Sequence, residues 1–187
     1  MFSVVIPTIG RDTLPRTLAS IPDGVEVIVV ADTHEMDVDT LANVRAYTGG
    51  KCLELDAGLH DRGDSQIAYG SLHASGLWLL NCGDDDVYEP GAFNIMSRAI
   101  AEQAGPEHPL MFKVELLPNN ARDSREPVEL WSRRHIDRFF VTGQSFVCPN
   151  EPTKLGVWDT DWRFMATTVA LYGGMVDWRE ERTMRCY

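Results

Sequence analysis

The sequence predicts an α/β protein with a mostly parallel central sheet that is covered by helices on both faces. Over the first hundred residues, short apolar segments alternate with segments of helical periodicity, the order expected of strand–helix–strand units. The apolar segments are continuous rather than alternating, as in strands that are buried on both faces. The second half is less regular, so we expect short mixed strands and one further helix there.

The elements of the first half are predicted in a simple order. Strands are predicted over 2–6, 25–31, 52–55 and 77–82. Helices are predicted over 12–21, 37–47, 65–75 and 89–104. Polar residues follow the strands, at the edge of the sheet where ligands bind in open α/β proteins.

The second half is predicted with less regular spacing. Its strands are predicted over 110–117, 128–131, 139–147 and 175–178, and its helix over 159–172. No internal repeat is present, and the change in pattern near residue 105 indicates a change of lobe rather than a linker.

Composition narrows the class of protein. The 187 residues fit one domain, and 44% hydrophobic and 24% charged residues are ordinary values for a globular protein. A net charge of -11 disfavours nucleic acid as a partner and also a polybasic membrane anchor. It is compatible with a phosphorylated ligand when a divalent cation lies between carboxylates and phosphates.

Cysteine usage and hydropathy suggest a cytoplasmic protein. The four cysteines form no Cys-x-x-Cys pair, so we expect reduced thiols rather than a zinc site or a disulfide framework. No apolar run is long enough for a transmembrane helix, and the first residues enter an apolar strand without the charged start of a signal peptide.

Three adjacent carboxylates, Asp84, Asp85 and Asp86, follow the fourth predicted strand. Such a cluster is costly unless it is solvated or neutralised. Carboxylate oxygens suit Mg²⁺ or Mn²⁺, with phosphate oxygens completing the coordination shell. A solvated acidic turn before Pro90 is the alternative, and the triplet by itself does not decide between them.

Three segments of the first half carry motifs in a defined order. Residues 3–11 form a strand that ends in Pro7-Thr8, and residues 29–32 form a second strand that ends in Asp32. Residues 70–90 form a helix, an apolar strand and an Asp-x-Asp motif. Together these segments resemble family 2 glycosyltransferases with the GT-A fold, and their order and spacing fit over residues 2–98, about half the chain.

The resemblance implies a GT-A-like domain over 1–187, with a nucleotide-sugar-binding lobe at 1–104 and an acceptor lobe at 105–187. Such enzymes move a sugar from a nucleoside diphosphate donor, here a UDP-sugar by preference, to an acceptor hydroxyl with inversion. The acceptor, a glycan, lipid, protein or small molecule, is not implied. The implied donor-binding residues are Pro7, Thr8, Arg11, Asp32, Arg62, Asp84 and Asp85.

The implied cofactor is Mn²⁺ or Mg²⁺, held by Asp84, Asp85 and Asp86. Because registers one residue apart fit the motif equally well, the direct ligand stays open among the three. The bound ion neutralises charge on the leaving diphosphate.

An inverting transferase also needs a general base for the acceptor hydroxyl. Residues 158–162 are similar to the family's acidic motif at the start of a helix, which makes Asp161 the candidate base and Asp159 the reserve. The alternative is that Asp159 caps the helix and Asp161 only favours its positive end. Residues 143–145 could line the acceptor pocket.

The chain departs from the family pattern after Asp32, where Thr33-His34 stand instead of the common Gly-Ser, and again shortly before Gly70. Ile67-Ala68 stand where the family often has Arg-Asn, so Arg62 or Arg11 would take over the contact with the donor. His135 could lie near a diphosphate, although a surface position is the alternative.

Two other functions remain open. A nucleotidyltransferase can share the fold, but residues 7–11 are a poor version of the Gly-rich basic loop of that class. A non-catalytic nucleotide-sugar-binding module would explain the short chain and the missing Arg-Asn pair.

Overall fold

The computed structural model describes residues 1–56, 63–117, 136, 142–158 and 160–187, together with the backbone of 128–129. The described residues include nine strands: Phe2–Thr8 (β1), Glu26–Asp32 (β2), Cys52–Leu55 (β3), Trp78–Asn81 (β4), Val87–Tyr88 (β5), Leu110–Leu116 (β6), Val128–Glu129 (β7), Phe146–Pro149 (β8) and Asp177–Cys186 (β9). They also include five α-helices: Leu14–Ala19 (α1), Val38–Tyr47 (α2), Asp64–Ser71 (α3), Ala92–Ala101 (α4) and Asp161–Leu171 (α5).

The strands form one sheet in the order β3-β2-β1-β4-β8-β6-β9-β5, with β7 beside β6. The first four strands are parallel to one another. β8 then runs antiparallel to both of its neighbours and joins the strands of the first half to those of the second. The predicted α/β fold, with a mostly parallel part and a mixed part, is confirmed.

Helices cover both faces of the sheet. Alternate residues of β1 point to opposite faces and therefore pack against different helices. Phe2, Val4 and Ile6 pack in one apolar cluster with buried residues of α1, α2 and α4. Val5 packs in a second cluster with Ile67 of α3 and with buried residues of α5. The continuous apolar pattern of the first strands therefore reflects burial on both faces.

Two predicted helices differ at their ends. The helix predicted over 65–75 ends at Ser71, and the chain after it turns so that the Ser75 amide donates to Glu26 at 2.8 Å. The helix predicted from 89 begins at Ala92 because Gly91 takes the N-cap position with φ 82°. Before it, the short strand β5 pairs with β9, a pairing that is not predicted from the sequence.

The second half contains two corrections. The strand predicted over 139–147 is shifted, because Gly143–Ser145 forms a 3₁₀ turn and the strand is Phe146–Pro149. The last predicted strand, 175–178, is in fact Asp177–Cys186. Its basic side chains make ion pairs with carboxylates on neighbouring elements, as Arg182 does with Glu89 and Glu115. These partners are distant in the sequence, so the strand pattern is not visible locally.

Two findings concern the rest of the described chain. All four cysteines are free thiols, three of them buried. No helix among the described residues has the length and apolar character needed to cross a bilayer.

Candidate active site

The carboxyl ends of β1, β2 and β4 open onto one cavity of about 500 Å³. The parallel pairing brings these three strand ends to the same edge of the sheet. The start of α5 and the 3₁₀ turn form the opposite side. Eight of the candidate residues from the sequence line this cavity: Pro7, Thr8, Arg11, Asp32, Asp84, Asp85, Gln144 and Asp161.

Three residues singled out in the sequence have no described position. Arg62, Asp159 and His135 lie outside the described residues. In the described part of the chain, Thr160 takes the N-cap position of α5 and Asp161 is its first helical residue.

Asp84 is held from two sides at the edge of the cavity. Its side chain is only 2% exposed, and one carboxylate oxygen accepts a hydrogen bond of 2.6 Å from the Thr8 hydroxyl. The other oxygen forms an ion pair of 2.7 Å with the Arg11 guanidinium. The Thr8 hydroxyl also accepts from the Gly10 amide at 2.9 Å, so the turn after β1 and the acidic triplet are fixed together.

Asp85 is more accessible than Asp84 and faces the same cation. Its side chain is 27% exposed, and its carboxylate lies 3.0 Å from the same Arg11 nitrogen. Burial raises the pKa of Asp85, while the charge of Arg11 opposes this rise. Arg16 donates to the backbone carbonyl of Asp85 at 2.9 Å and so fixes the backbone of the triplet.

Asp86 is directed away from the cavity. Its carboxylate accepts from the Gly83 amide at 3.0 Å and from the Tyr187 amide at 3.2 Å. Burial, followed by the charge of Asp85, raises the pKa of Asp86 to about 6. These contacts favour Asp84 and Asp85, rather than Asp86, as the carboxylates that a ligand in the cavity would meet.

The end of the cavity at β2 is lined by hydrogen-bond acceptors. Asp32 is buried, and its carboxylate accepts from the His34 amide at 3.0 Å. Gln66 of α3 donates through its side-chain nitrogen to the carbonyls of Thr8 at 3.0 Å and Val30 at 2.9 Å. Because both contacts of that nitrogen are carbonyl oxygens, the amide orientation is defined, and the remaining oxygen is an acceptor.

Asp161 lies on the opposite side, at the start of α5. One of its carboxylate oxygens accepts from the Gly143 amide at 3.0 Å and lies 3.4 Å from the Thr142 hydroxyl. The predicted pocket residues 143–145 are therefore close to the cavity, and Gln144 lines it. Asp84, Asp85 and Asp161, which come from distant parts of the sequence, line the same cavity.

Two side-chain amides that line the cavity were not singled out from the sequence. They are Gln66 and Asn81, the last residue of β4. Asn81 is the one polar residue of the apolar stretch from Leu77 to Cys82, and that interruption was the available signal. Gln66 gave no comparable signal, because an amphipathic helix is expected to carry polar residues.

The acidic residues at the cavity fit a divalent ion. A single Arg11 nitrogen already bridges Asp84 and Asp85, so their oxygens converge on one positive group. Hard oxygen ligands of this kind suit Mg²⁺ or Mn²⁺. Among the described residues, no three acidic, histidine or cysteine side chains form a complete metal site, so further ligands would have to come from a substrate or from water.

Neither a protein-family model nor a curated protein sequence matches the chain. Several solved structures align with the chain. The TarS 1-349 chain of S. aureus aligns with a TM-score of 0.71 at 16% identity, over 99% of this chain and 60% of that chain. TarS 1-349 in complex with UDP-GlcNAc aligns with a TM-score of 0.70 at 17% identity, over 99% of this chain and 58% of that chain.

A second enzyme shares the architecture. Glucosyl-3-phosphoglycerate synthase from Mycobacterium tuberculosis, in complex with Mn²⁺, UDP and phosphoglyceric acid, aligns with a TM-score of 0.65 at 12% identity, over 100% of this chain and 70% of that chain. This chain spans about 60% of the TarS 1-349 chain. At such identities the likeness concerns the fold, and the resemblance noted in the sequence is confirmed at that level: this chain has the GT-A glycosyltransferase fold.

Proposed function

We propose that this chain is a metal-dependent glycosyltransferase that moves a sugar from a nucleoside diphosphate donor, preferably a UDP-sugar, to an acceptor hydroxyl with inversion. The observation that carries the proposal is the single cavity with Asp84 and Asp85 on one side and Asp161 on the other. A direct displacement needs a charged leaving group at one end and a proton acceptor at the other. Asp84 and Asp85 suit the end of the leaving group, and Asp161 suits the role of proton acceptor.

The donor would enter with its nucleoside toward β2 and its diphosphate toward β4. Asp32 and the acceptor oxygen of Gln66 suit the hydroxyl and N–H donors of a nucleoside. Arg11 is placed to turn from the carboxylates to the diphosphate, because its side chain is 48% exposed. Arg62, which has no described position, keeps its proposed place among the donor-binding residues.

Asp84 and Asp85 are the proposed metal ligands in the cavity, and Asp86 stays a reserve ligand. A divalent ion bound there supplies Lewis-acid stabilisation of the leaving diphosphate. Thr8 holds the Asp84 carboxylate in place by its hydrogen bond. The ionic requirement, Mn²⁺ or Mg²⁺, is part of the proposal.

Asp161 is the proposed general base. The Gly143 amide holds one of its carboxylate oxygens, which leaves the other oxygen for the acceptor hydroxyl. That hydroxyl gives up its proton as it attacks the anomeric carbon, and the nucleoside diphosphate leaves from the opposite face. Asp159 remains the reserve candidate, and its test is the same substitution by Asn.

The solved structures support the choice of donor. Two of the similar structures contain UDP or UDP-GlcNAc, and a third is a complex with UDP, phosphoglyceric acid and Mn²⁺. The division into a donor lobe at 1–104 and an acceptor lobe at 105–187 belongs to the same proposal. So does the cytoplasmic location, which fits the four free thiols.

The first experiment is calorimetry with UDP, GDP and dTDP, each with and without Mn²⁺. We expect UDP to bind best and its binding to depend on the metal, because the two cavity carboxylates repel a bare diphosphate. Absence of binding by every nucleotide under both conditions would refute the proposed donor class.

The second experiment tests the base. Asp161→Asn should lower transfer or donor hydrolysis by about 10²–10⁴-fold and leave UDP affinity near the wild-type value. Asp23→Asn is the matched control, since this exposed residue lies in the turn before β2. If metal-dependent UDP binding is retained and the wild type itself shows no turnover with any acceptor, the non-catalytic binding module is favoured.

A further inference from the structure

Asn81 is a buried side chain that makes no hydrogen bond within the described part of the protein. Its exposure is 7%, and it ends β4 at the border of the cavity. No described residue hydrogen-bonds to its side-chain amide. Because Asn81 lines the cavity and has no partner among the described residues, its side-chain amide can hydrogen-bond a ligand there.

Two other side-chain amides in this region do make hydrogen bonds with the protein. Asn150, directly after β8, donates to the carbonyls of Ala74 at 3.1 Å and Gly76 at 2.9 Å. Gln66, which lines the same cavity, donates to two backbone carbonyls. Of these three amides, only Asn81 makes no side-chain hydrogen bond with the described part of the protein.

The position of Asn81 narrows what it can bind. A Cβ atom placed on Gly143 would lie 2.5 Å from the Asn81 side-chain nitrogen and 2.8 Å from one oxygen of Asp161. The Asn81 amide and the Asp161 carboxylate therefore border the same small space. Along the chain, Asn81 is three residues before Asp84, on the strand that delivers the acidic triplet. The amide thus lies between the two sets of carboxylates.

In a direct displacement, the transferred sugar occupies the space between the leaving diphosphate and the general base. We propose that the Asn81 side chain hydrogen-bonds a ring substituent of that sugar and helps to determine which sugar is accepted. An amide offers both a donor and an acceptor, which matches a sugar hydroxyl or an acylamino group. This inference rests on the proposed function, since it needs a nucleotide-sugar in the cavity.

The test distinguishes binding of the sugar from binding of the nucleotide. UDP, UDP-glucose and UDP-GlcNAc are titrated by calorimetry, with Mn²⁺ present, into the wild type and Asn81→Ala. We expect the affinity for UDP to stay within about twofold, while the affinity for at least one of the two UDP-sugars falls about five- to thirtyfold. Equal losses for UDP and both UDP-sugars, or no loss at all, would overturn the inference.

Thermal unfolding gives a second, independent readout. Because the Asn81 side chain gives up no hydrogen bond within the described protein, Asn81→Ala should unfold at or above the wild-type temperature. The matched control is Asn150→Ala, which loses two hydrogen bonds and should unfold earlier without a change in sugar preference. If Asn81→Ala instead unfolds earlier than this control, the amide is structural and the inference is wrong.

A second variant covers the case in which Asn81→Ala does not fold. Asn81→Ser keeps a hydroxyl at the position and should restore part of the affinity for the sugar. Failure of both variants to fold would also count against a ligand-binding role. Wild-type protein that binds no UDP would instead contradict the proposed function, which is a different result from selective effects at Asn81.

Discussion

Gly143 offers a sharp test of how the candidate base is positioned. Its φ lies outside the left-handed region, so an alanine would not strain the backbone. A Cβ there would lie 2.5 Å from the Asn81 nitrogen and 2.8 Å from an Asp161 oxygen, both below the 3.4 Å at which ordinary contacts begin. Gly143→Ala must therefore push at least one of these side chains out of its present position.

The size of the effect follows from the geometry. Overpacking of this kind costs about 1–3 kcal/mol of unfolding free energy. A displacement of about 1 Å of a reacting group lowers turnover by about 10²-fold. We therefore expect kcat for transfer to fall about 10²-fold, with UDP affinity nearly unchanged, because the nucleoside end of the cavity is formed by β1, β2 and α3.

Steady-state kinetics, calorimetry with UDP and thermal unfolding measure these three quantities. Gly76→Ala is the matched control, since its Cβ would lie 2.5 Å from the Ser3 hydroxyl, before β4 and away from the cavity. The control should lose stability without losing turnover per folded molecule. If Gly143→Ala loses stability like the control but keeps wild-type kcat, the proposed positioning of Asp161 is refuted.

Two further predictions concern charged groups. Arg11→Ala removes a half-exposed ion pair worth up to about 1 kcal/mol. Mn²⁺ alone should then bind up to about fivefold tighter, while UDP should bind more weakly. Weaker Mn²⁺ binding in calorimetry would contradict this prediction. Burial raises the pKa of Glu26, but hydrogen bonds from Ser3, Ser75 and Gly76 outweigh it and lower the pKa. Glu26→Gln should therefore cost about 2 kcal/mol at neutral pH, and chemical denaturation should show this difference shrinking below about pH 4.3; a difference independent of pH would refute it.

The first half of the fold was predictable because its signals are local. Three of the first four strands, β1, β2 and β4, are short apolar runs buried on both faces, and a polar or acidic stretch follows each of them. The parallel order then brings Thr8, Asp32 and Asp84 to one edge. Local patterns of this kind are sufficient to place the carboxylates in one cavity, although not to distinguish Asp84 and Asp85 from Asp86.

The second half was less predictable because its stabilising contacts are distant in the sequence. Most of β9 reads as a charged segment, and its strand forms through ion pairs such as Arg185 with Glu89 and Glu115. The role of Gly143 depends on the close approach of Asn81 and Asp161, which come from β4 and α5. No spacing rule connects such residues, so their meeting becomes visible only in three dimensions.

The strand β8 has a consequence for how the two sides of the cavity are connected. It pairs with β4 through Trp78–Pro149 and Leu79–Cys148, and with β6 through a similarly short register. Pro149 has no amide hydrogen to offer, so this joint is among the thinnest in the sheet. Asp84 and Asp85 follow β4, and the 3₁₀ turn that contains Gly143 immediately precedes β8. The acidic triplet and Gly143 therefore adjoin two strands whose direct pairing is limited to two residue pairs.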